Sequence, residues 1–526
     1  MQLSLLATLL LAGSAIARAP PKGAAKRAPV AAPDVQQLES STKDHKPIIP
    51  QNSRTRKFAV NGHAIPEVDF HVGESYAGLL PISDQKDSSE LYFWFFPSRN
   101  HLAKDEILIW LNGGPGCSSL EGLLQENGPF SWQYGTYKPV RNPWSWTNLT
   151  NVVWVEQPAG TGFSKKNKSP SATNEIEVAE QFLGWFKNFV DTFSLHGKKV
   201  YIAGESYAGY YVPYIADAMH NATNTHYYNI QSILIYDPSL SYGTVQENIP
   251  AVPFVDYHAN LFNLNKTTMD YLHRRHKACG YADFLETALQ FPPKGPLPTP
   301  PNVSGGEDDC NLYYSIQDAV LITNPCWDIY QVATTCPLLW DVLGFPGSIP
   351  YLPDGATIYF NRTDVQQAIN APIMPWAECA DYGVLDQDNS PPSALSVLPR
   401  VIEKNKQTII GHGLLDFVLM YNGTLVAIQN MTWHGHQGFS KAPSQWNDFF
   451  VPYHYEPSLS TYAASGNMGQ YHTERNLTMV TIALSGHMVP QYAPSAAYRQ
   501  VEFLLGRIEN LGVRGDFTTQ KGDYGN

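Results

Sequence analysis

Lys199-Val200-Tyr201-Ile202-Ala203 runs into Gly204-Glu205-Ser206-Tyr207-Ala208-Gly209, and Tyr211-Val212-Pro213-Tyr214-Ile215-Ala216-Asp217-Ala218-Met219 follows. The first run reads as a buried strand and the last as a helix. Gly-x-Ser-x-Gly recurs by chance in many chains; between a strand and a helix it has chemical meaning. Two glycines permit a turn too sharp for side-chain-bearing residues. The serine hydroxyl then stands clear of the sheet at a helix N-terminus. The N–H of Tyr207 can point at a developing oxyanion.

Outward from this turn the rhythm is strand, then helix. Upstream, Leu91-Tyr92-Phe93-Trp94-Phe95-Phe96 is an aromatic strand near an antiparallel start of the sheet. Ile107-Leu108-Ile109-Trp110-Leu111 is the unbroken apolar run expected of a strand covered on both faces. It ends in Asn112-Gly113-Gly114-Pro115-Gly116-Cys117-Ser118-Ser119. No Gly-Lys-Ser/Thr follows, so this glycine-rich loop does not read as a phosphate cradle. Its place ahead of Ser206 suits the other half of an oxyanion hole, with the Gly114 N–H as donor. Asn151-Val152-Val153-Trp154-Val155 is the next strand. Residues 173–193 read as an amphipathic helix with Ile176, Ala179, Leu183, Phe186, Val190 and Phe193 on one face. Ile233-Leu234-Ile235-Tyr236 is a further strand, and the alternation predicts a mainly parallel α/β sheet.

From about 241 to 392 the rhythm breaks. This stretch is rich in Pro, Asn and Tyr and carries five of the six cysteines. It reads as an insertion, stapled by disulfides and forming a lid or pocket wall. The core, residues 58–240 and 393–526, resumes with a helix near 394–404. The strand Thr408-Ile409-Ile410 ends in Gly411-His412-Gly413-Leu414-Leu415-Asp416. The strand Met479–Leu484 ends in Ser485-Gly486-His487-Met488-Val489-Pro490. A last helix runs from about Pro494 to Ile508, with Pro494 in its first turn.

Ser206, Asp416 and His487 thus occur in the order Ser, Asp, His, each after an apolar strand, which is the chain order of the α/β-hydrolase triad. In that arrangement His487 deprotonates Ser206 while Asp416 orients and stabilises the imidazolium.

The chain has 526 residues, 43% hydrophobic and 12% aromatic, and its formal charge is 35 − 47 = −12. With no notable basic run, nucleic acid and anionic membranes are poor partners. Residues 1–17 read as a signal peptide: an apolar stretch from Leu3 ends in Ala15-Ile16-Ala17, small-x-small, too short to span a bilayer. Residues 18–57, rich in Ala, Pro, Lys and Arg, read as a pro-segment, with Lys26-Arg27 and Arg54–Lys57 as basic sites for processing. Nine sequons fit a secreted glycoprotein: Asn148, Asn167, Asn221, Asn265, Asn302, Asn361, Asn422, Asn430 and Asn476. No later segment reads as a membrane helix, and the polar C-terminus carries no lipid-anchor signal. Secretion is expected, with a vacuolar compartment second.

With these residues in hand, the sequence resembles the serine carboxypeptidases, most of all their secreted fungal branch, over about residues 65–510. The carrying motifs are Trp110–Ser119, Gly204–Gly209 and Gly486-His487-Met488-Val489-Pro490. The resemblance implies an α/β-hydrolase fold and the release of single amino acids from peptide and protein C-termini through an acyl-enzyme, without metal or organic cofactor. It implies Ser206 as nucleophile, His487 as base and then acid, Asp416 as orienter, and Gly114 and Tyr207 as oxyanion donors. Trp110, Asn112, Gly113, Glu126 and Glu205 match the holders of the substrate carboxylate, and Met488 a residue lining the leaving-group pocket. Cys117 would bridge to Cys379, and the other four would pair within the insertion, Cys279–Cys310 and Cys326–Cys336.

These motifs offer the substrate carboxylate neither Arg nor Lys. Two carboxyls side by side cannot both ionise cheaply, so Glu126 and Glu205 are expected to hold protons and donate them as hydrogen bonds. Binding should then weaken as pH rises, giving an acidic optimum. Where the family usually has Gly-Asn-Gly, this chain has Tyr236-Asp237-Pro238-Ser239. Asp237 is expected near the pocket for the residue before the scissile bond, favouring basic side chains there, with a buried structural aspartate as the alternative. An acyltransferase on the same scaffold and a non-catalytic binding protein are the alternatives. His434-Gly435-His436 reads as a solvated loop rather than a metal site, and His412 as structural.

Overall fold

Eleven strands form one mixed sheet in the computed structural model, which describes residues 46–167, 172–302, 308–380, 383–454 and 459–520. In chain order they are β1 Ala59–Val60, β2 Ser75–Pro81, β3 Glu90–Phe96, β4 Glu106–Leu111, β5 Val152–Glu156, β6 Lys199–Glu205, β7 Asn229–Tyr236, β8 Gln407–Gly413, β9 Asn447–Val451, β10 Gly466–Glu474 and β11 Leu477–Ile482. Their spatial order is β1-β2-β3-β5-β4-β6-β7-β8-β11-β10-β9. The six strands from β5 through β11 in that order run parallel, and the outer ones are antiparallel. The signal peptide and most of the expected pro-segment lie outside the described residues. The end of that segment is docked: the Ile48 and Ile49 N–H groups donate to the Glu74 carboxylate, and Phe58 packs 5.4 Å from Phe93.

The sheet's two faces follow from period-2 alternation. Ile107, Ile109, Leu111, Ile202, Ile233 and Ile235 enter one hydrophobic cluster; Leu108, Trp110, Ala203, Leu234 and Tyr236 enter the other. With both faces covered, the central strands carry no polar side, which is why they read as continuous apolar runs.

Helix α1, Glu175–Phe193, covers the first face. It is capped by Asn174, whose side chain accepts from the Glu177 N–H. Of the expected inward residues Ala179, Phe186, Val190 and Phe193 are buried, the face widens to take in Val178, Phe182, Trp185 and Phe189, and Ile176 is 63% exposed. The aromatic residues set this wider face, because Phe93 and Phe95 of β3 each receive the Phe189 ring edge-on at 5.3 Å. β11 ends at Ile482, short of the expected Leu484, which has φ 63° and is exposed.

Between β7 and β8 lie helices α2 Ile249–Tyr257, α3 Lys266–Ala278, α4 Tyr281–Ala288 and α5 Leu312–Thr323, with their own hydrophobic cluster. Cys279–Cys310 joins the end of α3 to the approach to α5. The other pairs are Cys326–Cys336 and Cys117–Cys379, as expected.

Candidate active site

Ser206 occupies the turn between β6 and the helix Ala208–Ala222 with φ 60°, the left-handed region that a side-chain-bearing residue enters only under constraint. The constraint is visible. Its N–H donates to Tyr236 O at 3.0 Å, and its carbonyl accepts from Gly209 and Ser239 at 2.9 Å each. A Cβ on Gly204 would sit 2.4 Å from Leu111 O, and one on Gly209 2.2 Å from Ser239 O. Both glycines are therefore dictated by close approach.

The loop after β4 folds against this turn. A Cβ on Gly113 would lie 2.5 Å from Tyr207 N and 2.8 Å from Ser206 Cβ. Neither the Gly114 nor the Tyr207 N–H donates to any described residue, which leaves two backbone donors beside the Ser206 turn. The loop is pinned by Cys117–Cys379, by Ser118 N–H to Glu378 O and by Ala380 N–H to Gly116 O. Gly113→Ala is expected to push the loop off the turn and lower kcat by about 10²–10³-fold, the loss typical of one displaced oxyanion donor. Steady-state kinetics on a peptide, with circular dichroism as the folding control, checks it.

Asp416 follows β8 and His487 follows β11, adjacent parallel strands, so both loops open at the same carboxyl edge as Ser206. His487 Nδ1 and Asp416 Oδ2 are 2.9 Å apart; Asp416 is fully buried and His487 2% exposed. Asp416 Oδ1 also accepts from Val418 N–H at 2.7 Å and Oδ2 from Leu419 N–H at 3.3 Å. His487 Nε2 makes no hydrogen bond to the described protein, and the Ser206 hydroxyl is not bonded to it in this structure. Burial pulls the His487 pKa down, but the Asp416 charge and hydrogen bond push it further up, and the net direction is upward.

The sequence carried no sign of how these two loops are held, beyond a pair of cysteines. The short loop closed by Cys326–Cys336 threads between them. Tyr330 O accepts from His487 N–H at 2.8 Å, Ile329 O accepts from Phe417 N–H at 2.9 Å, and Val332 N–H donates to Leu415 O at 3.1 Å. The Tyr330 ring stands 5.3 Å from the imidazole.

Beside the turn, Trp110 Nε1–H donates to Asn112 Oδ1 at 2.7 Å and so orients the amide. Asn112 Nδ2 then faces three carboxyls: Glu121 Oε2 at 2.6 Å, Glu205 Oε1 at 2.9 Å and Glu126 Oε1 at 3.3 Å. All three are at least nine-tenths buried. No N–H or hydroxyl reaches Glu126 Oε2 or Glu205 Oε2; the two carboxyls meet each other. Burial, with the Glu205 charge next, pushes the Glu126 pKa well above the carboxylate range; burial and the Glu121 charge do the same to Glu205. Protonated, such a pair presents O–H donors. Glu121 was missed in the sequence because residues 122–127 form a π-helical turn. In an α-helix, positions five apart diverge by about 140°, whereas the wider turn brings 121 and 126 to one side.

Met488 is 6% exposed next to His487. Asp237 corrects an expectation: it is fully buried, and its Oδ1 accepts from Gly413 N–H at 2.9 Å, so no substrate side chain can reach it. The strand-end position that suggested a pocket wall instead turns the side chain inward, with φ 41°. A groove of about 450 Å³ runs beside Pro115 and Tyr207, walled by Val384, Leu385, Asp386 and Asp388. His434 and His436 are exposed on a hairpin whose turn is His434-Gly435. None of the nine sequon asparagines is buried. No described helix is long and apolar enough to cross a membrane.

The family model for serine carboxypeptidase matches residues 66–506. A probable serine carboxypeptidase of Arthroderma benhamiae is 58% identical over 473 residues, 88% of each chain. Serine-type carboxypeptidase F of Aspergillus niger is 45% identical over 480 residues, again 88% of each. The crystal structure of a prohormone-processing carboxypeptidase from Saccharomyces cerevisiae superposes with a TM-score of 0.65 at 23% identity, covering 87% of this chain and 98% of that one, which establishes the α/β-hydrolase fold. The chain belongs to the serine carboxypeptidase family and is a serine-type carboxypeptidase.

Proposed function

We propose that the enzyme releases single residues from peptide C-termini at acidic pH, with Ser206 forming the acyl-enzyme. His487 takes the Ser206 proton and returns it to the leaving amine, and Asp416 holds the imidazole in the tautomer that leaves Nε2 free. The Gly114 and Tyr207 N–H groups receive the oxyanion. The observation that carries the reading is the Asn112–Glu126–Glu205 cluster: buried acids that meet each other suit a carboxylate only while they hold protons. An acyltransferase need not recognise a free carboxylate, so this cluster favours the peptidase. The leader and sequons support export and glycosylation. The docking of residues 48–58 supports maturation upstream, at Lys26-Arg27, over cleavage at Arg54–Lys57, where Thr55 is buried. Incubating the mature enzyme with one peptide, free and C-terminally amidated, at pH 4.5 and 7.5, and following products by mass tests the activity. Stepwise loss of C-terminal residues from the free peptide, fastest at pH 4.5, is expected; equal attack on the amidated peptide would refute it.

A further inference from the structure

Behind the catalytic carboxylate lies a second carboxyl–imidazole contact that the triad does not require. Asp237 Oδ1 lies 2.9 Å from His412 Nδ1, both side chains fully buried, and also accepts the Gly413 N–H at 2.9 Å. His412 Nδ1 hydrogen-bonds to Gly413 O at 3.2 Å, so its proton sits on that nitrogen. Asp237 Oδ1 thus accepts a hydrogen bond from Gly413 and stands beside the His412 ring nitrogen. Asp237 Oδ2 receives none, and the Asp237 and Asp416 carboxyls meet each other. One oxygen that only accepts, and another with no donor in a group that meets a carboxylate, is the pattern of a protonated carboxyl group.

We propose that Asp237 and His412 form a positioning couple in which the Asp237 hydroxyl donates to the Asp416 carboxylate, fixing its orientation and sharing its charge. This rests on Ser206 acting through His487 and Asp416. Asp237 N–H donates to Gly411 O on β8, and the neighbouring Tyr236 O accepts the Ser206 N–H. One strand end thereby ties the nucleophile turn to the carboxylate loop. The titratable groups facing Asp237 are Asp416 and His487 from the loops after β8 and β11, His412 from β8, Glu205 from β6 and Tyr236 from β7. Asp416, Glu205 and Tyr236 are acids and none of the five is a lysine or arginine. His487 and the Gly413 N–H favour an ionised Asp237, but burial and the Asp416 charge outweigh them and push its pKa well above the carboxylate range.

The sign of the test follows. If Asp237 is neutral, Asp237→Asn keeps a donor toward Asp416 and an acceptor toward Gly413, and the His487 titration stays where it is. If Asp237 were ionised, Asn would remove a negative charge near the imidazolium and lower that titration. Asp237→Ala removes the donor, leaves Asp416 more basic and raises it.

The readout is the rate at which a fluorophosphonate modifies Ser206, measured from pH 4 to 8, because it needs the triad and no carboxylate pocket. Expected for Asn is an acid limb within about 0.3 pH unit of wild type and a plateau within about threefold. Expected for Ala is a limb shifted up and a plateau about 10- to 100-fold lower, the range for losing a hydrogen bond to a charged group. Asp237→Val, which leaves a smaller cavity than Ala and has no donor, replaces Ala if that chain does not fold. A limb lowered by a full unit in Asn, or a plateau as low in Asn as in the donor-less variant, overturns the proposal. Failure of wild type to react at all would instead refute the serine mechanism.

Discussion

Asp416→Asn is expected to lower kcat on peptides by about 10⁴-fold with KM little changed, the scale known for losing the correct histidine tautomer in this class of triad. The local hydrogen bonds dictate which way the amide must lie. Asp416 Oδ1 faces the Val418 N–H at 2.7 Å, while Oδ2 faces His487 at 2.9 Å and the Leu419 N–H only at 3.3 Å. An amide has one acceptor, and the short Val418 contact claims it. Its NH₂ then points at His487 Nδ1, which must become the acceptor, so the ring proton moves to Nε2. That nitrogen can no longer accept a proton from Ser206. The backbone from Tyr330 still holds His487 in place, so ring position and peptide binding are kept while base catalysis is lost. Saturation kinetics separates the two, and a loss below tenfold in kcat would mean that His487 is held in its working tautomer by something other than Asp416.

The parallel core and the serine turn were legible in the sequence, because each is written in short-range chemistry: unbroken apolar runs, glycines where backbones nearly touch, a serine at a strand end; the three disulfide pairings came from the family resemblance alone. What failed to show shares one physical character. Glu121 depends on a change of helical pitch, which five consecutive residues do not announce. The extra inward residues of α1, Phe182, Trp185 and Phe189 among them, depend on where Phe93 and Phe95 sit across the sheet. The Tyr330 clamp depends on a loop arriving some 150 residues away from the histidine it holds. Asp237 was placed at the correct strand end but aimed wrongly, since side-chain direction there follows from the φ of a single residue and from what β8 offers it, Gly413 N–H and His412. Local pattern names the groups; partners supplied by distant segments decide their direction.

KM for a peptide with a free C-terminus is expected to rise by about tenfold per pH unit once pH passes the apparent pKa of the Glu126–Glu205 pair, as one proton is lost from the binding form. The sign is set by the raised pKa of both groups. Below the pair's apparent pKa the carboxyls hold protons and donate to the substrate carboxylate; above it they carry charge and repel it. Glu121 reinforces this, since its charge adds to the cost of ionising Glu205. Asn112, whose amide is fixed by Trp110, supplies a donor that does not titrate, so binding weakens with pH without vanishing. kcat should not follow the same curve, because the acyl-enzyme has already lost the residue that carries the carboxylate. Glu126→Gln replaces a titrating donor by an N–H donor and leaves Glu205 with one charged neighbour fewer. Its KM at pH 7.5 is expected to fall below that of wild type by about tenfold, while at pH 4.5 it is the poorer binder, an amide N–H being the weaker donor to a carboxylate. Initial rates across pH 4–8 with free and amidated forms of one peptide decide the matter. A wild-type KM that stays level over that range would mean that the pair never holds the proton by which a chain end is told from a chain middle.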